Sequence, residues 1–298
     1  MQSPKTNPKV SVCIRTFNRA AWLKECLESV VRQEGVPFEI ILVNNGSTDG
    51  GETAKIVDDY AEVYPNLIRA MHCLTNDPDR SLYGLCNGEY ITMLPDDDVL
   101  MGVDSLARRA AVLDEHPNVG FVFTNALCMD AKGSILDAAP SMWALHGDKD
   151  VLTNAAPLDI IIRDCVVPFP SAMWRSRDRD TAESTHVRIC KVSADWALWI
   201  ALSAWNDQAY LASPSVILRV HAEQDSIKRG MLGRGFVDAH LAMWEYWSET
   251  EVLSIEALTS FRSTIARYLD LELGYRRMSV IKRVEEIIVN GTKKGTTL

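Results

Sequence analysis

Three consecutive carboxylates, Asp96, Asp97 and Asp98, follow the apolar run Tyr90 to Leu94. Adjacent carboxylates repel one another, and a hard divalent cation such as Mg²⁺ or Mn²⁺ relieves that repulsion. A cation held there can bridge to a diphosphate. A solvated turn ahead of the next helix is the plain alternative, and a triplet alone does not separate the two. Asp195 stands just before Trp196 at a helix start. A carboxylate there can take a proton from a hydroxyl, or can cap the helix. His221 closes the run Leu218-Arg219-Val220 and can ligate a metal through neutral imidazole, or act as a hydrogen-bonded structural residue. Phe17 can stack on a nucleotide base and Asn45 can pair with a base edge; read singly, they are a core aromatic and a turn asparagine. Trp143, Trp174 and Trp196 are candidates to stack on an acceptor sugar. Most of the eight tryptophans read as core, Trp199 and Trp205 most clearly.

The elements that position these residues follow from periodicity. Val10 to Ile14 reads as a buried strand. Asn18 can cap a helix in which Trp22, Leu23, Cys26, Leu27, Val30 and Val31 recur at helical spacing, and Gly35 can stop it. Phe38 to Val43 is a second strand, a helix around Ile56 to Ala61 follows, and Leu67 to Cys73 and Tyr90 to Leu94 are further strands. This alternation predicts a parallel α/β sheet with right-handed crossovers. In such sheets ligands bind beyond the carboxyl ends of the strands, where Arg15 to Arg19, Asn44 to Ser47 and the aspartates all fall. A helix over Val103 to Leu113 and a strand over Val119 to Leu127 come next. Residues 130–170 read as long loops, and Arg175 to His186 as a mobile polar loop. Trp196 to Trp205 reads as an amphipathic helix, Ala209 to Val220 as a strand region broken by Pro214, and Phe236 to Val289 as helical.

Composition narrows the function classes. The 298 residues carry a net charge of -9, which argues against a general nucleic-acid binder. No apolar run approaches the roughly 20 residues needed to span a bilayer, and no signal peptide is legible. A soluble, cytoplasmic protein, at most peripheral to a membrane, is the expectation. The seven cysteines are odd in number, form no C-x-x-C pair and mostly sit among apolar residues, so they read as core positions.

Taken in order, these pieces resemble the family 2 glycosyltransferases of GT-A fold. The resemblance runs from about Val10 to Ser226 and is carried by Val10 to Arg19, Glu39 to Gly50, Gly88 to Leu94 with the aspartates, Ser193 to Trp199, and Arg219-Val220-His221. It implies a Rossmann-like, mostly parallel central sheet flanked by helices. The GT-A domain would span 1–226, with a nucleotide-binding half over about 9–127 and an acceptor half over about 128–226; the helical pattern beyond it gives a C-terminal helical region over 227–298. It implies nucleotide contacts from Thr16, Phe17, Arg19, Asn45, Arg80 and Asp96, and metal contacts from Asp97, Asp98 and His221. Asp195 would be the catalytic base. Asp97 assisted by Asp98 is the favoured metal register, with Asp96 and Asp98 as the other. Three departures stand out. Asn44-Asn45 replaces a frequent Asp-Asp, which leaves the nucleotide open because an amide can donate as well as accept. Pro95 stands where many members carry the first metal-motif aspartate, and Ala194 replaces a frequent glutamate.

The implied function is an inverting transfer from a nucleoside-diphosphate sugar to an acceptor hydroxyl, with Mn²⁺ or Mg²⁺. A non-catalytic sugar-nucleotide or glycan-binding protein on the same fold is the first alternative. A sugar-phosphate nucleotidyltransferase is the second, although Asn18-Arg19 opens directly into a helix instead of a Gly- and Arg-rich loop. A dehydrogenase is disfavoured because no G-x-G-x-x-G follows the first strand. The C-terminal helices are candidates for a homodimer interface.

Overall fold

The computed structural model describes residues 7–77, 81–136, 145–163, 165–188 and 194–224, with a few positions between 243 and 264. Eight strands form one sheet: β1 (Val10–Thr16), β2 (Phe38–Asn44), β3 (Ile68–His72), β4 (Tyr90–Met93), β5 (Val99–Leu100), β6 (Val119–Asp130), β7 (Met173–Arg175) and β8 (Asp207–Val220), in the order β3-β2-β1-β4-β7-β6-β8-β5. β1 lies between β2 and β4, and β2 pairs with β3, all in parallel. β6 and β8 are also parallel, while β7 runs antiparallel to β4 and β6, and β5 antiparallel to β8.

Helices cover both faces. Val12, Ile14, Ile40 and Leu42 point into a core shared with α1 (Ala20–Val31), α2 (Glu52–Val63) and α3 (Ser105–Glu115). Cys13, Ile41, Val43, Phe121, Phe123 and Trp174 point the other way, towards α4 (Leu158–Ile161), α5 (Arg179–Arg188) and α6 (Ala194–Ser203). Burial on both faces explains why the first two strands read as near-continuous apolar runs.

Several segments depart from expectation, each for a local reason. β8 runs unbroken through Pro214, because its register against β6 shifts between Thr124 and Ala126. Residues 212–215 therefore bulge out of the ladder, and a bulge spares proline the hydrogen bond it cannot donate. The polar stretch expected to be a mobile loop instead forms α5, which sends Ala182 and Thr185 inward. α6 is not amphipathic: every residue from Trp196 to Ser203 is buried. Trp205 lies past its end and is 71% exposed, so it is not a core residue, whereas Trp199 is fully enclosed. Asn18 does not cap α1. It adopts φ 53, and its side-chain oxygen accepts the Thr48 N–H at 2.7 Å. No helix among the described residues is long and apolar enough to cross a membrane. Most of the expected helical stretch from Phe236 lies outside the described residues.

One buried cation ties the layers together. Arg109 of α3 is fully enclosed and donates to Ser105 O at 3.1 Å, Thr92 Oγ1 at 3.1 Å, and the carbonyls of Pro170 at 3.2 Å and Ala172 at 3.4 Å. Removing it would leave the Pro170 carbonyl without that donor, at about 1–3 kcal/mol, and a cavity worth about 2–5 kcal/mol more, while the Thr92 hydroxyl keeps its bond to Ala172 O. Arg109→Ala is therefore expected to lower the melting temperature by roughly 10 °C or more in calorimetry, given about 2–4 °C per kcal/mol at this size.

Candidate active site

The aspartates occupy a tight turn that follows directly from β4. Leu94 N–H still bonds to Cys13 O of β1 at 3.0 Å, and Asp98 N–H closes the turn on Pro95 O at 3.1 Å. Pro95 thus heads the turn that displays the acidic side chains. All three carboxylates are largely buried, Asp98 most of all at 4% exposed.

Their partners differ. Asp96 faces the end of β1, accepting the Phe17 N–H at 3.3 Å with Arg19 Nε at 3.8 Å. Burial pushes its carboxyl up to about 7; the Asp97 charge adds to this, and the Thr16 hydroxyl, Arg19 and Phe17 N–H oppose it. Asp97 Oδ2 lies 2.8 Å from His221 Nε2. His221 Nδ1 accepts the Glu223 N–H at 3.1 Å, so in the neutral ring the proton sits on Nε2 and points at Asp97. Asp98 Oδ1 accepts the Arg219 N–H at 2.8 Å. Burial, with Asp97 next, raises its pKa well above the usual carboxylate range.

β5 explains why residues more than a hundred positions apart meet. Val99 and Leu100 pair with Ile217 and Val216 of β8, so the following residues of β8 run back over the aspartate turn. The chain therefore brings together Thr16, Phe17, Arg19, Asp96, Asp97, Asp98 and His221. Arg80 and Trp143 lie outside the described residues.

Asn44 and Asn45 are both buried at the end of β2. Asn44 Nδ2 lies 3.1 Å from His72 Nδ1, and Asn44 Oδ1 accepts the Ser47 N–H at 3.1 Å. Asn45 Nδ2 donates to Asn76 Oδ1 at 2.7 Å and to the Asp77 carbonyl at 2.9 Å. An aspartate could not donate to that carbonyl, which gives the amide at 45 a physical reason. Gly46 lets the two segments approach: at φ +78, a Cβ there would stand 2.5 Å from the Thr75 carbonyl carbon.

Asp195 sits in the first turn of α6, partly buried. Burial raises its pKa, opposed by the backbone N–H groups of Trp196 and Asp195 itself. Burial raises the Tyr83 phenol well above its usual range; Cys13, Cys86 and, least, Asp195 add to this, and Arg15 opposes it. Asp195 heads a helix that packs on the same side of the sheet as Cys13. Trp174 and Trp196 are 0% and 1% exposed, so neither offers an acceptor sugar an open ring face. Trp174 stands edge-on to Tyr83 and Trp199, and Trp196 Nε1 donates to Ile161 O at 2.5 Å.

Sequence reasoning missed Trp22, Glu25 and Arg219. Trp22 falls in the apolar spacing of α1, yet its ring centroid lies 4.1 Å from that of His221. Arg219 is 1% exposed and reaches Glu25 Oε2 at 2.5 Å. Their signal was the spacing Arg19, Trp22, Glu25 along one helical face.

Among the described residues no group of three or more His, Cys, Asp or Glu side chains is arranged to hold a metal by itself. Asp97 and His221 nevertheless fit a cation whose remaining ligands come from a substrate diphosphate, the usual way such ions are held. The proton between them is the one a shared cation would replace.

A twisted α/β sheet with an acidic turn beyond the carboxyl ends of its parallel strands defines a nucleotide-sugar transferase fold of GT-A type. Residues 11–137 match the Glycosyl transferase family 2 sequence model, so this stretch is a family 2 glycosyltransferase domain. It is 36% identical over 127 residues to a PGL/p-HBAD biosynthesis glycosyltransferase of Mycobacterium bovis, covering 40% of this chain and 47% of that one. It is 30% identical over 225 residues to an uncharacterized glycosyltransferase of Rickettsia felis, covering 74% of this chain and 36% of that one. The chain thus spans about half or less of these relatives' length. Among solved structures, Staphylococcus aureus TarS 1-349 in complex with UDP superposes with a TM-score of 0.61 at 19% identity, over 91% of this chain and 73% of that one. The mannosyltransferase PcManGT of Pyrobaculum calidifontis, in complex with GDP-Man and Mn²⁺, gives 0.53 at 14% identity over 95% and 81%.

Proposed function

We propose that this chain is an inverting glycosyltransferase that moves a sugar from a nucleoside-diphosphate sugar to an acceptor hydroxyl with the help of a divalent cation. The observation that carries the reading is the pairing of Asp97 with His221 at 2.8 Å, beside Phe17 and Asp96 at the carboxyl ends of β1 and β4. The neighbours bound to UDP and to GDP-Man with Mn²⁺ supply the ligand class by likeness of fold.

In this reading Phe17 packs against the base and Asp96 takes a ribose hydroxyl. Arg19, held near Asp96, contributes positive charge to the same end of the pocket. Asp97 and His221, assisted by Asp98, hold Mn²⁺ or Mg²⁺, which when bound offsets the charge that builds on the departing diphosphate. Asp195 accepts the proton of the acceptor hydroxyl. The acceptor oxygen bonds to the anomeric carbon from the face opposite the diphosphate, and the bond from that carbon to the diphosphate oxygen breaks. The nucleoside diphosphate leaves with the bonding pair, and the configuration inverts.

Asn45 spends both amide hydrogens on Asn76 and Asp77, so its nitrogen is not offered to a base. Both uridine and guanosine donors are therefore worth testing. The purified chain, incubated with UDP- and GDP-sugars, should release nucleoside diphosphate with Mn²⁺ and stop when EDTA is added. Binding without turnover, with any donor and with acceptor glycans present, would make it the non-catalytic binding protein instead.

A further inference from the structure

One face of α1 grips the end of β8 at three successive points. Arg19 Nη2 donates to Glu223 O at 2.7 Å, the Trp22 ring lies against His221 at 4.1 Å, and Glu25 Oε2 receives Arg219 Nη2 at 2.5 Å. These residues are three apart, so they line one side of the helix. At the centre is Arg219. Its backbone N–H goes to Asp98 Oδ1 at 2.8 Å and its Nε to the Asp97 carbonyl at 3.0 Å. Its Nη1 reaches Asp130 O at 3.4 Å and Ala131 O at 3.5 Å. A single buried guanidinium thus spans α1, the aspartate turn and the end of β6. It is two residues from the imidazole that meets Asp97.

We propose that Arg219, anchored by Glu25, is a positioning residue that sets Asp97 opposite His221 for cation binding. It rests on the reading of Asp97 and His221 as the metal pair. The physical reason is geometric. The aspartate turn and the end of β8 are joined by the two β5–β8 residue pairs and, before Val216, by Met101 N–H to Ser215 O at 2.8 Å and Ser105 Oγ to Ser215 O at 2.9 Å; Arg219 adds ties next to the aspartates themselves. Arg219 Nε holds the backbone of the turn at the Asp97 carbonyl, and its own N–H occupies one oxygen of Asp98. Lysine keeps the charge but cannot make the forked contacts of a guanidinium.

The test uses the full chain, with free Mn²⁺ followed by its EPR signal and UDP and GDP binding measured by calorimetry in Mn²⁺ or in EDTA. Changes just outside a metal's direct ligands typically weaken metal affinity by about 10–100-fold. Arg219→Lys is expected to raise the half-saturating Mn²⁺ concentration by roughly that factor. Glu25→Gln, at an exposed position, should raise it by a smaller factor, about threefold, below the range for direct loss of such a contact. Binding in EDTA and the melting temperature of Glu25→Gln should stay near wild type, which a merely structural role would not predict. If both variants fold and keep the wild-type Mn²⁺ midpoint, or if EDTA binding falls as much as Mn²⁺ binding, Arg219 has no positioning role. If Arg219→Lys does not fold, Glu25→Gln decides alone. If wild type itself binds no Mn²⁺, the metal reading fails and this inference falls with it.

Discussion

Asp195→Asn is expected to lower kcat by about 10²–10⁴-fold, the usual contribution of a positioned general base, while nucleotide affinity stays near wild type. Asparagine keeps the volume and can still accept the backbone N–H bonds at the start of α6, but it cannot take a proton. The pH dependence follows from the raised pKa. A base works only when ionised, so kcat should fall as pH drops through a value above the ordinary aspartate pKa of about 4. The stability sign runs the other way. A carboxyl raised by burial favours folding most below its unfolded pKa, and that contribution is lost as pH rises. Asp195→Asn should therefore melt no lower than wild type at neutral pH. Steady-state kinetics and calorimetry together check both signs. Near-normal turnover in a folded variant removes Asp195 from the mechanism.

Asp97→Asn carries the second large effect. The side chain keeps its shape and can still meet His221, but it loses the charge that a divalent cation needs. Metal affinity is expected to fall by at least about 100-fold, since even contacts outside the direct ligands are worth 10–100-fold. Mn²⁺-dependent donor hydrolysis should fall with it. Asp98→Asn should do less to metal affinity and more to folding, because one Asp98 oxygen is occupied by the Arg219 N–H. Equal metal loss from both substitutions would instead make the two carboxylates joint ligands. Parallel Mn²⁺ titrations separate the outcomes.

The first half of the fold was legible because its signals are local. β1, α1, β2, α2 and β3 each carry a full period of apolar residues, and the structure places them within a few residues of the reading. The second half depends on contacts distant in sequence. α6 shows no polar face because it is buried all round, while α5 is polar and, among its described side chains, buries only Ala182 and Thr185. No periodicity shows that Pro214 rests in a bulge. The acidic turn was legible as a motif, and the resemblance implied separate roles for its carboxylates, but the partners each one meets were not legible. Asp97 meets His221 and Asp98 meets the Arg219 N–H, and both partners come from the end of β8, distant in sequence. The departures from the family pattern also became readable only in three dimensions. Asn44 meets His72, and Asn45 meets a backbone carbonyl that an aspartate would repel.

The central claim is that the site built from Phe17, Asp96, Asp97 and His221 binds a nucleoside diphosphate with a divalent cation. Titration calorimetry of UDP and GDP into the purified chain, with Mn²⁺ and with EDTA, tests it most directly. The account predicts binding of at least one of them that strengthens at least tenfold in Mn²⁺, about 1.4 kcal/mol, and loses that gain in Asp97→Asn. No binding of either nucleotide in either condition would contradict it.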